Sequence, residues 1–182
     1  LEFILYKCPK CMAEYENITD KKHIICKKCG NTVEYTEYGK FISLGESVTF
    51  DRLDKWYDWQ RVSIRKALED ENFKISSAVE WSKMNQKTNK YEKCGAGALS
   101  ITYNDIQFEG KNLVGEDVLI SYPLENQVAI IQKRKEGIDL TIENEINRFM
   151  FDEKKYASKY NLIVEEIFRK RHSLPPKGEE IN

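Results

Sequence analysis

The sequence predicts an α+β protein that is mostly β, and three observations carry this prediction. Two C-x-x-C pairs near the N-terminus predict a small metal-binding hairpin unit. An apolar stripe with a period of 3.6 residues predicts a helix after that unit. Seven segments with a period of two residues, joined by turn residues, then predict an antiparallel sheet followed by a second amphipathic helix. The chain of 182 residues is long enough for one sizeable domain or two small ones.

The first segment, residues 1–48, contains the most specific motif. Cys8 and Cys11 form one pair, Cys26 and Cys29 form the other, and fourteen residues separate the two pairs. This spacing lets two knuckle turns present four thiolates to one tetrahedral zinc ion. Gly30 follows the second pair and suits a turn that needs positive φ. The four cysteines are therefore predicted to bind Zn²⁺ in a zinc ribbon, with a pair of disulfides as the alternative.

Short strands are expected around these cysteines, at residues 3–6, 12–18, 23–26 and 32–38. The apolar surface of such a unit is too small for folding without metal. His23 lies three residues before Cys26, but four cysteines already complete a zinc site, so His23 is predicted to be a bystander. Cys94 is the odd cysteine and is predicted to be a small buried side chain, with a reactive thiol as the alternative.

Residues 49–72 are predicted to form a linking amphipathic helix, with Thr49 or Asp51 as its cap. The helix carries three large aromatic residues, Trp56, Tyr57 and Trp59. The favoured interpretation is that they fill a core between the ribbon and the next domain. Contact with lipid headgroups, as in the aromatic belts of membrane proteins, is the alternative.

From Phe73 the period of the apolar pattern changes from 3.6 to 2. The seven predicted strands lie at residues 73–81, 98–103, 106–108, 118–122, 128–131, 138–142 and 146–151. Short turns join most of them, so neighbouring strands should pair antiparallel. A helix follows, from Asp152 to about His172, and Pro175-Pro176 prevents its continuation. This order is that of a pleckstrin-homology-like barrel with a C-terminal helix, predicted over residues 73–182.

Three stretches resemble the region C-terminal to the catalytic domain in bacterial 1-acyl-sn-glycerol-3-phosphate acyltransferase-like proteins. They are the cysteine ribbon with Tyr38-Gly39-Lys40, the hexapeptide Trp56-Tyr57-Asp58-Trp59-Gln60-Arg61, and Gly95-Ala96-Gly97-Ala98-Leu99, with residues 149–166 extending the likeness. The resemblance implies a parent enzyme of phospholipid synthesis that transfers an acyl chain onto a lysophospholipid. It also implies a missing N-terminal catalytic domain as the partner of this region.

Enzymes of that family use a His-x-x-x-x-Asp motif, and this chain departs from it. Its two histidines, His23 and His172, have Lys28 and Lys177 five residues later, at the position of the aspartate. No Gly-x-Ser-x-Gly elbow or phosphate-binding loop is present in the sequence either. The chain is therefore expected to be a non-catalytic accessory region, structural or regulatory, of an acyltransferase.

The distribution of charge along the sequence indicates whether nucleic acid or anionic lipid is a plausible partner. Residues 1–48 carry seven basic and seven acidic side chains, so the ribbon lacks the positive face of a nucleic-acid binder. The first hairpin of the predicted barrel carries four lysines, Lys83, Lys87, Lys90 and Lys93, which suit an anionic lipid headgroup. The favoured interpretation, however, is a solvated hairpin whose lysines protect sheet edges from aggregation. The competing function is a zinc-ribbon module for nucleic acid or protein interaction that is unrelated to lipid synthesis. A third hypothesis is that the barrel binds a protein partner at an exposed strand edge or groove.

Cellular location follows from what the sequence carries. No signal peptide and no apolar run of about 20 residues is visible in the sequence. Cysteines in a zinc-type pattern favour a reducing compartment. The expected location is the cytoplasm, with the lysine hairpin peripheral to the inner face of the membrane.

Overall fold

A computed structural model of the chain describes residues 1–133, 136–152 and 156–177. The chain divides into two compact units. Among the described residues, the N-terminal unit comprises Leu1–Arg65 with Pro176 and Lys177, and the sheet unit lies within Lys66–Pro175. The described part contains two helices, one four-stranded sheet and one seven-stranded antiparallel sheet, so the predicted mostly-β class is confirmed.

The N-terminal unit contains the smaller sheet. Its strands are β1 (Asn17–Asp20), β2 (His23–Cys26), β3 (Thr32–Tyr35) and β4 (Phe41–Ser43), paired antiparallel in that order. Strand β2 has the predicted bounds, whereas β4 lies in a stretch for which no strand is predicted.

The strand predicted at residues 3–6 is wrong. This stretch is a turn in which the N–H groups of Ile4 and Leu5 both donate to the carbonyl of Leu1, at 2.9 Å. The consecutive side chains of Leu5 and Tyr6 are both buried. A half-buried strand would bury alternate residues instead.

Helix α1 (Leu53–Ala67) begins later than predicted. Phe41 donates its N–H to the carbonyl of Asp51 at 2.8 Å, and Lys40 forms a β-bridge with Arg52. These bonds hold residues 51–52 extended beside β4, so the first helical bond runs from the N–H of Trp56 to the carbonyl of Arg52. Neither Thr49 nor Asp51 is therefore the cap.

Within the N-terminal unit, one side of α1 packs against the four-stranded sheet. The buried cluster there consists of five apolar side chains, those of Leu5, Ile24, Val33, Phe41 and Trp56. Trp56 is 1% exposed, and the ring of Phe41 meets its ring edge-on at 5.5 Å. Trp56 is therefore a core residue of the N-terminal unit. That the three aromatic residues fill a core between the ribbon and the next domain stays a prediction.

The sheet unit contains seven strands followed by helix α2 (Tyr156–Arg171). The strands are β5 (Lys74–Asn85), β6 (Lys90–Thr102), β7 (Asp105–Asn112), β8 (Asp117–Pro123), β9 (Ile131–Lys133), β10 (Gly137–Ile142) and β11 (Glu145–Phe151). They pair antiparallel in the order β8-β7-β6-β5-β11-β10-β9. The predicted seven strands and the antiparallel pairing of consecutive strands are confirmed, except that β8 and β9 lie at opposite ends of the sheet and do not pair. Strands β5 to β7 are longer than expected. The predicted end of this domain, at residues 178–182, lies outside the described residues.

Helix α2 covers the apolar face of this sheet. The Tyr160 hydroxyl is buried with its ring and donates to the carbonyl of Leu99 on β6, at 2.7 Å. The ring of Tyr160 also packs on that of Phe151, with centroids 4.8 Å apart. Neither described helix is long and apolar enough to cross a membrane.

The glycine-rich stretch of β6 has a structural role in this sheet. Gly97 lies opposite Gly110 of β7. A Cβ atom added to Gly97 would lie 2.3 Å from the carbonyl oxygen of Glu109. Only glycine allows the two backbones to approach this closely.

Candidate metal centre

Four cysteine sulfurs from two loops of the N-terminal unit meet at one point. The Sγ atoms of Cys8, Cys11, Cys26 and Cys29 all lie within 4.8 Å of one another. The pairs Cys8–Cys29 and Cys11–Cys26 are each 3.7 Å apart. Four sulfurs bound at about 2.3 Å to a central ion would lie roughly 3.8 Å apart in a regular tetrahedron. The arrangement therefore fits one metal ion with four thiolate ligands.

A disulfide does not fit these positions. Bonded sulfurs lie about 2.05 Å apart, and all five cysteines of the chain are free. His23 lies outside the group that could hold the metal, and its Nε2 is 3.9 Å from a carboxylate oxygen of Glu34. Its predicted role as a bystander agrees with this position.

The two knuckles have matching backbone geometry. Cys8 donates its N–H to the carbonyl of Ala13 at 2.8 Å, and Cys26 donates to that of Asn31 at 2.9 Å. In each knuckle, the N–H of the residue after the second cysteine returns to the carbonyl of the first, from Met12 at 3.0 Å and from Gly30 at 2.9 Å. Those two residues have φ of 63° and 71°. The sequence predicted the positive φ at Gly30, but nothing in residue type signalled it at Met12.

Backbone amides of the knuckles also point at the sulfurs. Cys8 receives hydrogen bonds from the N–H groups of Lys10 and Cys11, and Cys26 receives the equivalent bonds from Lys28 and Cys29. Hydrogen bonds of this kind stabilise a thiolate. The turns are therefore shaped for anionic sulfur, the form that binds metal.

Burial acts in the opposite direction at the two inner cysteines. It raises the pKa of Cys8 to about 12, and it also raises the pKa of Cys26. At the more exposed Cys11, a hydrogen bond from the N–H of Ala13 lowers the pKa to about 7. At Cys8 and Cys26 the thiolate form therefore needs a nearby cation, and proton binding there should compete with metal binding.

Helix α1 braces the first knuckle through two side chains of the hexapeptide. The indole Nε1 of Trp56 donates to the carbonyl of Lys7 at 3.0 Å. The side chain of Gln60 is fully buried; its Oε1 accepts the N–H of Lys7, and its Nε2 donates to the carbonyl of Ile4, both at 3.0 Å. Both backbone polar groups of Lys7, the residue before Cys8, are thereby fixed. The hexapeptide that suggested a family thus has a structural role in this unit.

Two buried amides that sequence analysis missed fix the loops around the cysteines. Asn17 donates its Nδ2 to the carbonyl of Leu5 at 2.7 Å. Asn31 bonds both polar groups of Val48, accepting its N–H at 2.7 Å and donating to its carbonyl at 2.9 Å. An asparagine after a knuckle glycine reads as turn chemistry in the sequence, so burial was the missing information.

The four lysines predicted as a headgroup site lie together on the β5–β6 hairpin, but they are not equivalent. Lys83 forms an ion pair with Glu145 at 2.6 Å, and Lys93 forms one with Glu80 at 2.7 Å. Lys87 and Lys90 make no ion pair with any described residue and lie at the exposed tip of the hairpin. Half of the predicted positive charge is therefore balanced by carboxylates.

No protein-family model and no curated protein matches the chain. Among solved structures, the chain is similar to the Ran-binding domain of the nuclear complex component Nup2 from Ashbya gossypii. That match has 11% identity and a TM-score of 0.42, and it covers 53% of this chain and 94% of that domain. The Dm DCP1 EVH1 domain, solved in complex with the XRN1 DBM peptide, is similar with 15% identity and a TM-score of 0.42, over 69% of this chain and 98% of that domain. Similarity at this level transfers no function.

Proposed function

We propose that this chain is a non-catalytic accessory region whose N-terminal unit is held together by a structural zinc ion. The observation that carries the proposal is the convergence of four cysteine sulfurs within 4.8 Å. Zinc accepts four thiolates in structural sites, whereas catalytic zinc keeps one position open for water or substrate. The four cysteines fill every position of a tetrahedral site. Zinc here would supply folding free energy rather than a reactive water.

Metal analysis of the purified chain tests this proposal. We expect one zinc ion per chain, released by a strong chelator together with the fold of the N-terminal unit. The Cys26→Ser variant should lose the metal, and the matched control Cys94→Ser should keep it, because Cys94 lies outside the cluster. Iron instead of zinc, or no metal in the freshly purified protein, would reject a structural zinc site.

The parent protein that we propose is a 1-acylglycerol-3-phosphate acyltransferase-like enzyme of phospholipid synthesis. The support is the sequence resemblance, in which the hexapeptide from Trp56 to Arg61 is the most distinctive element. Its Trp56 and Gln60 brace the metal knuckle, which suits an accessory role. The full-length gene product should therefore carry an upstream His-x-x-x-x-Asp domain and transfer acyl groups to lysophosphatidate. A different upstream domain would remove the attribution.

For the sheet unit we propose a pleckstrin-homology-like module in the cytoplasm that contacts anionic lipid through its first hairpin. The strand order and the C-terminal helix support the assignment of the fold. Lys87 and Lys90 are the lysines of the hairpin without a carboxylate partner among the described residues. Each lysine near an anionic membrane contributes on the order of 1 kcal/mol.

Vesicle sedimentation distinguishes this lipid role from a solvated hairpin. Binding to vesicles that contain phosphatidylserine should exceed binding to neutral vesicles, and it should weaken on raising the salt concentration. The double change Lys87→Glu with Lys90→Glu should abolish it. Equal sedimentation with neutral and anionic vesicles would exclude the lysine hairpin as a headgroup site.

A further inference from the structure

Strand β8 is one end of the seven-stranded sheet, and its hydrogen bonds to β7 use only alternate residues. Asn112 donates to the carbonyl of Glu116 before the strand, and Leu124 donates to that of Asn104 after it, both at 2.9 Å. The pairs Asn112–Glu116 and Asn104–Leu124 continue, at its two ends, the register in which β7 pairs with β8. Because bonded pairs alternate in an antiparallel ladder, residues 118, 120 and 122 bond to β7. Residues 119 and 121 therefore point their N–H and carbonyl groups away from the sheet.

Nothing in the described part of the chain pairs with this outer side of β8. The side chain of Leu119 lies there 70% exposed, a large value for an apolar residue in a strand. Pro123, which has no N–H to donate, ends the strand at another outward position. The free stretch centred on Leu119 and Ser121 carries no lysine, the residue that most often guards sheet edges.

A groove of about 250 Å³ runs beside this edge. One wall consists of Leu119, Ile120 and Ser121 of β8, and the other includes Ile142, Glu143 and Glu145 at the turn between β10 and β11. The volume is slightly below the usual range for small-molecule sites, about 300–1,000 Å³. It suits a narrow occupant that enters between a strand edge and a turn, such as one extended chain.

The charges around the groove indicate which kind of chain it favours. Residues 104–125 contain five acidic side chains and one basic side chain, Lys111, which is paired with Asp117 at 2.7 Å. In the groove itself, Lys83 is paired with Glu145, while Glu143 has no ion pair within the described residues. A second copy of this chain would place two acidic strands side by side, which is unfavourable. A basic chain is favoured.

We propose that the outer edge of β8 binds an extended, lysine- or arginine-containing segment of a partner protein by strand addition. The backbone of the segment bonds to the N–H and carbonyl groups of Leu119 and Ser121. Its apolar side chains cover Leu119, and its basic side chains face Glu143 and the acidic residues along β7 and β8. This inference concerns the sheet unit and is independent of the metal, the parent enzyme and the lipid role proposed above.

Amide hydrogen exchange of the intact chain, followed by NMR, reads the proposed bonds directly. The probe is a peptide of alternating lysine and valine, about six residues long, the usual length of a strand. Without peptide, the amides of Leu119 and Ser121 should exchange quickly, whereas that of Ile120 should be protected by its bond to β7. Saturating peptide should protect Leu119 and Ser121. The matched peptide with glutamate in place of lysine should protect neither.

A proline substitution distinguishes the contribution of the backbone hydrogen bond from that of the Leu119 side chain. Leu119→Pro removes an outward N–H that the β7 ladder does not use, so the fold should persist, as circular dichroism and thermal melting will show. It should weaken binding about tenfold, while Leu119→Ala, which keeps the N–H, should weaken it less. Ser121→Pro provides a second test in case Leu119→Pro disturbs the strand. Glu143→Lys should reduce the affinity for the lysine peptide but not the exchange rates of the free protein.

Three results would overturn the proposal. One is the absence of protection at millimolar lysine peptide, and another is undiminished binding by both folded proline variants. The third is a dimer in sedimentation that Leu119→Pro converts to a monomer, since that would assign the edge to a second copy of the chain.

Discussion

The two units bury apolar residues to different extents. Among the described residues, the sheet unit buries nineteen apolar side chains, and the N-terminal unit buries nine, two of which are Cys8 and Cys26 of the metal site. A core as small as that of the N-terminal unit rarely gives stability by itself, and natural proteins of this kind add a metal or disulfides. We therefore expect the N-terminal unit to depend on the proposed metal ion and the sheet unit to depend on hydrophobic burial.

Removal of the metal should give the largest difference between the units. Structural zinc contributes about 10 kcal/mol or more to small domains of this type. A chelator, or the Cys8→Ser change, should therefore erase the dispersed NMR amide signals of residues 1–65 and leave those of the sheet unit. Signals of the N-terminal unit that survive complete metal removal would show that its small core suffices.

The converse experiment removes packing from the sheet unit. The Phe108 ring lies 5.5 Å from that of Trp81 and 5.4 Å from that of Phe149, at the centre of the core. Phe108→Ala should destabilise this unit by about 3–5 kcal/mol, because a large buried side chain leaves a cavity. Urea denaturation should show the loss, with one metal ion per chain retained. Loss of the metal in this variant would contradict separate stabilisation.

A half-buried ion pair adds a polar contribution to the sheet unit. Arg148 donates two hydrogen bonds of 2.7 Å to the carboxylate of Asp139, and its guanidinium lies 3.3 Å from the centre of the Tyr91 ring. Lysine cannot reproduce this fork and stack, so Arg148→Lys should cost about 2 kcal/mol. Lys93→Met, which breaks an exposed pair with Glu80, is the control and should cost less than about 1 kcal/mol. Equal shifts of the denaturation midpoint in the two variants would show that burial of the Arg148–Asp139 pair adds no stability.

Substitutions at the two knuckle residues with positive φ should change the stability of the N-terminal unit by a smaller amount. Gly30 has φ of 71°, and a Cβ atom added there would meet no other atom within 4 Å. Gly30→Ala should therefore cost only the left-handed backbone strain, about 1–2 kcal/mol. Met12→Gly should gain up to about 1 kcal/mol in the equivalent position of the other knuckle. Competition with a chelator of known affinity should show both shifts, in opposite directions.

The smallest expected effect is a pH dependence in the sheet unit. Partial burial raises the pKa of Asp105, but hydrogen bonds from Thr102, Gln107 and Ser121 outweigh it and leave the pKa below the ordinary value of 3.8. A lowered pKa in the folded state stabilises the fold above 3.8 and loses this effect as the pH falls through the folded value. Asp105→Asn should thus cost about 1 kcal/mol near neutral pH and less in acid.

Because acid also releases zinc from cysteine sites, the measurement should follow only amides of residues 66–152 during denaturation at each pH. A cost that is independent of pH would show that the charge of Asp105 contributes nothing.

Much of the fold could be read from the sequence because local patterns encode it. The C-x-x-C spacing identified four residues that the structure brings together, since two intervening residues fix the direction of both sulfurs within one turn. The period-two pattern gave the seven strands, since burial on one face of a strand imposes alternation. The turn at residues 3–6 was misread as a strand because four consecutive apolar residues carry no period.

Other features depend on neighbours that are distant in the sequence. The burial of Gln60 follows from two backbone groups more than fifty residues away, at Lys7 and Ile4. The pairing of Lys83 and Lys93 with carboxylates, which halves the free charge of the hairpin, depends on strand register. No local sequence pattern predicts contacts between residues this far apart in the chain.

By itself, the sequence identified the four cysteines that could hold a metal ion, the seven strands and the two helices, because each follows from spacing along the chain. Only the tertiary structure decided that α1 braces a knuckle through Trp56 and Gln60. It also decided that the backbone N–H and carbonyl groups of Leu119 and Ser121 pair with no other strand among the described residues. A hydrogen bond between residues distant in the sequence needs its donor and acceptor within about 3 Å of each other. Only folding of the whole chain brings such groups that close.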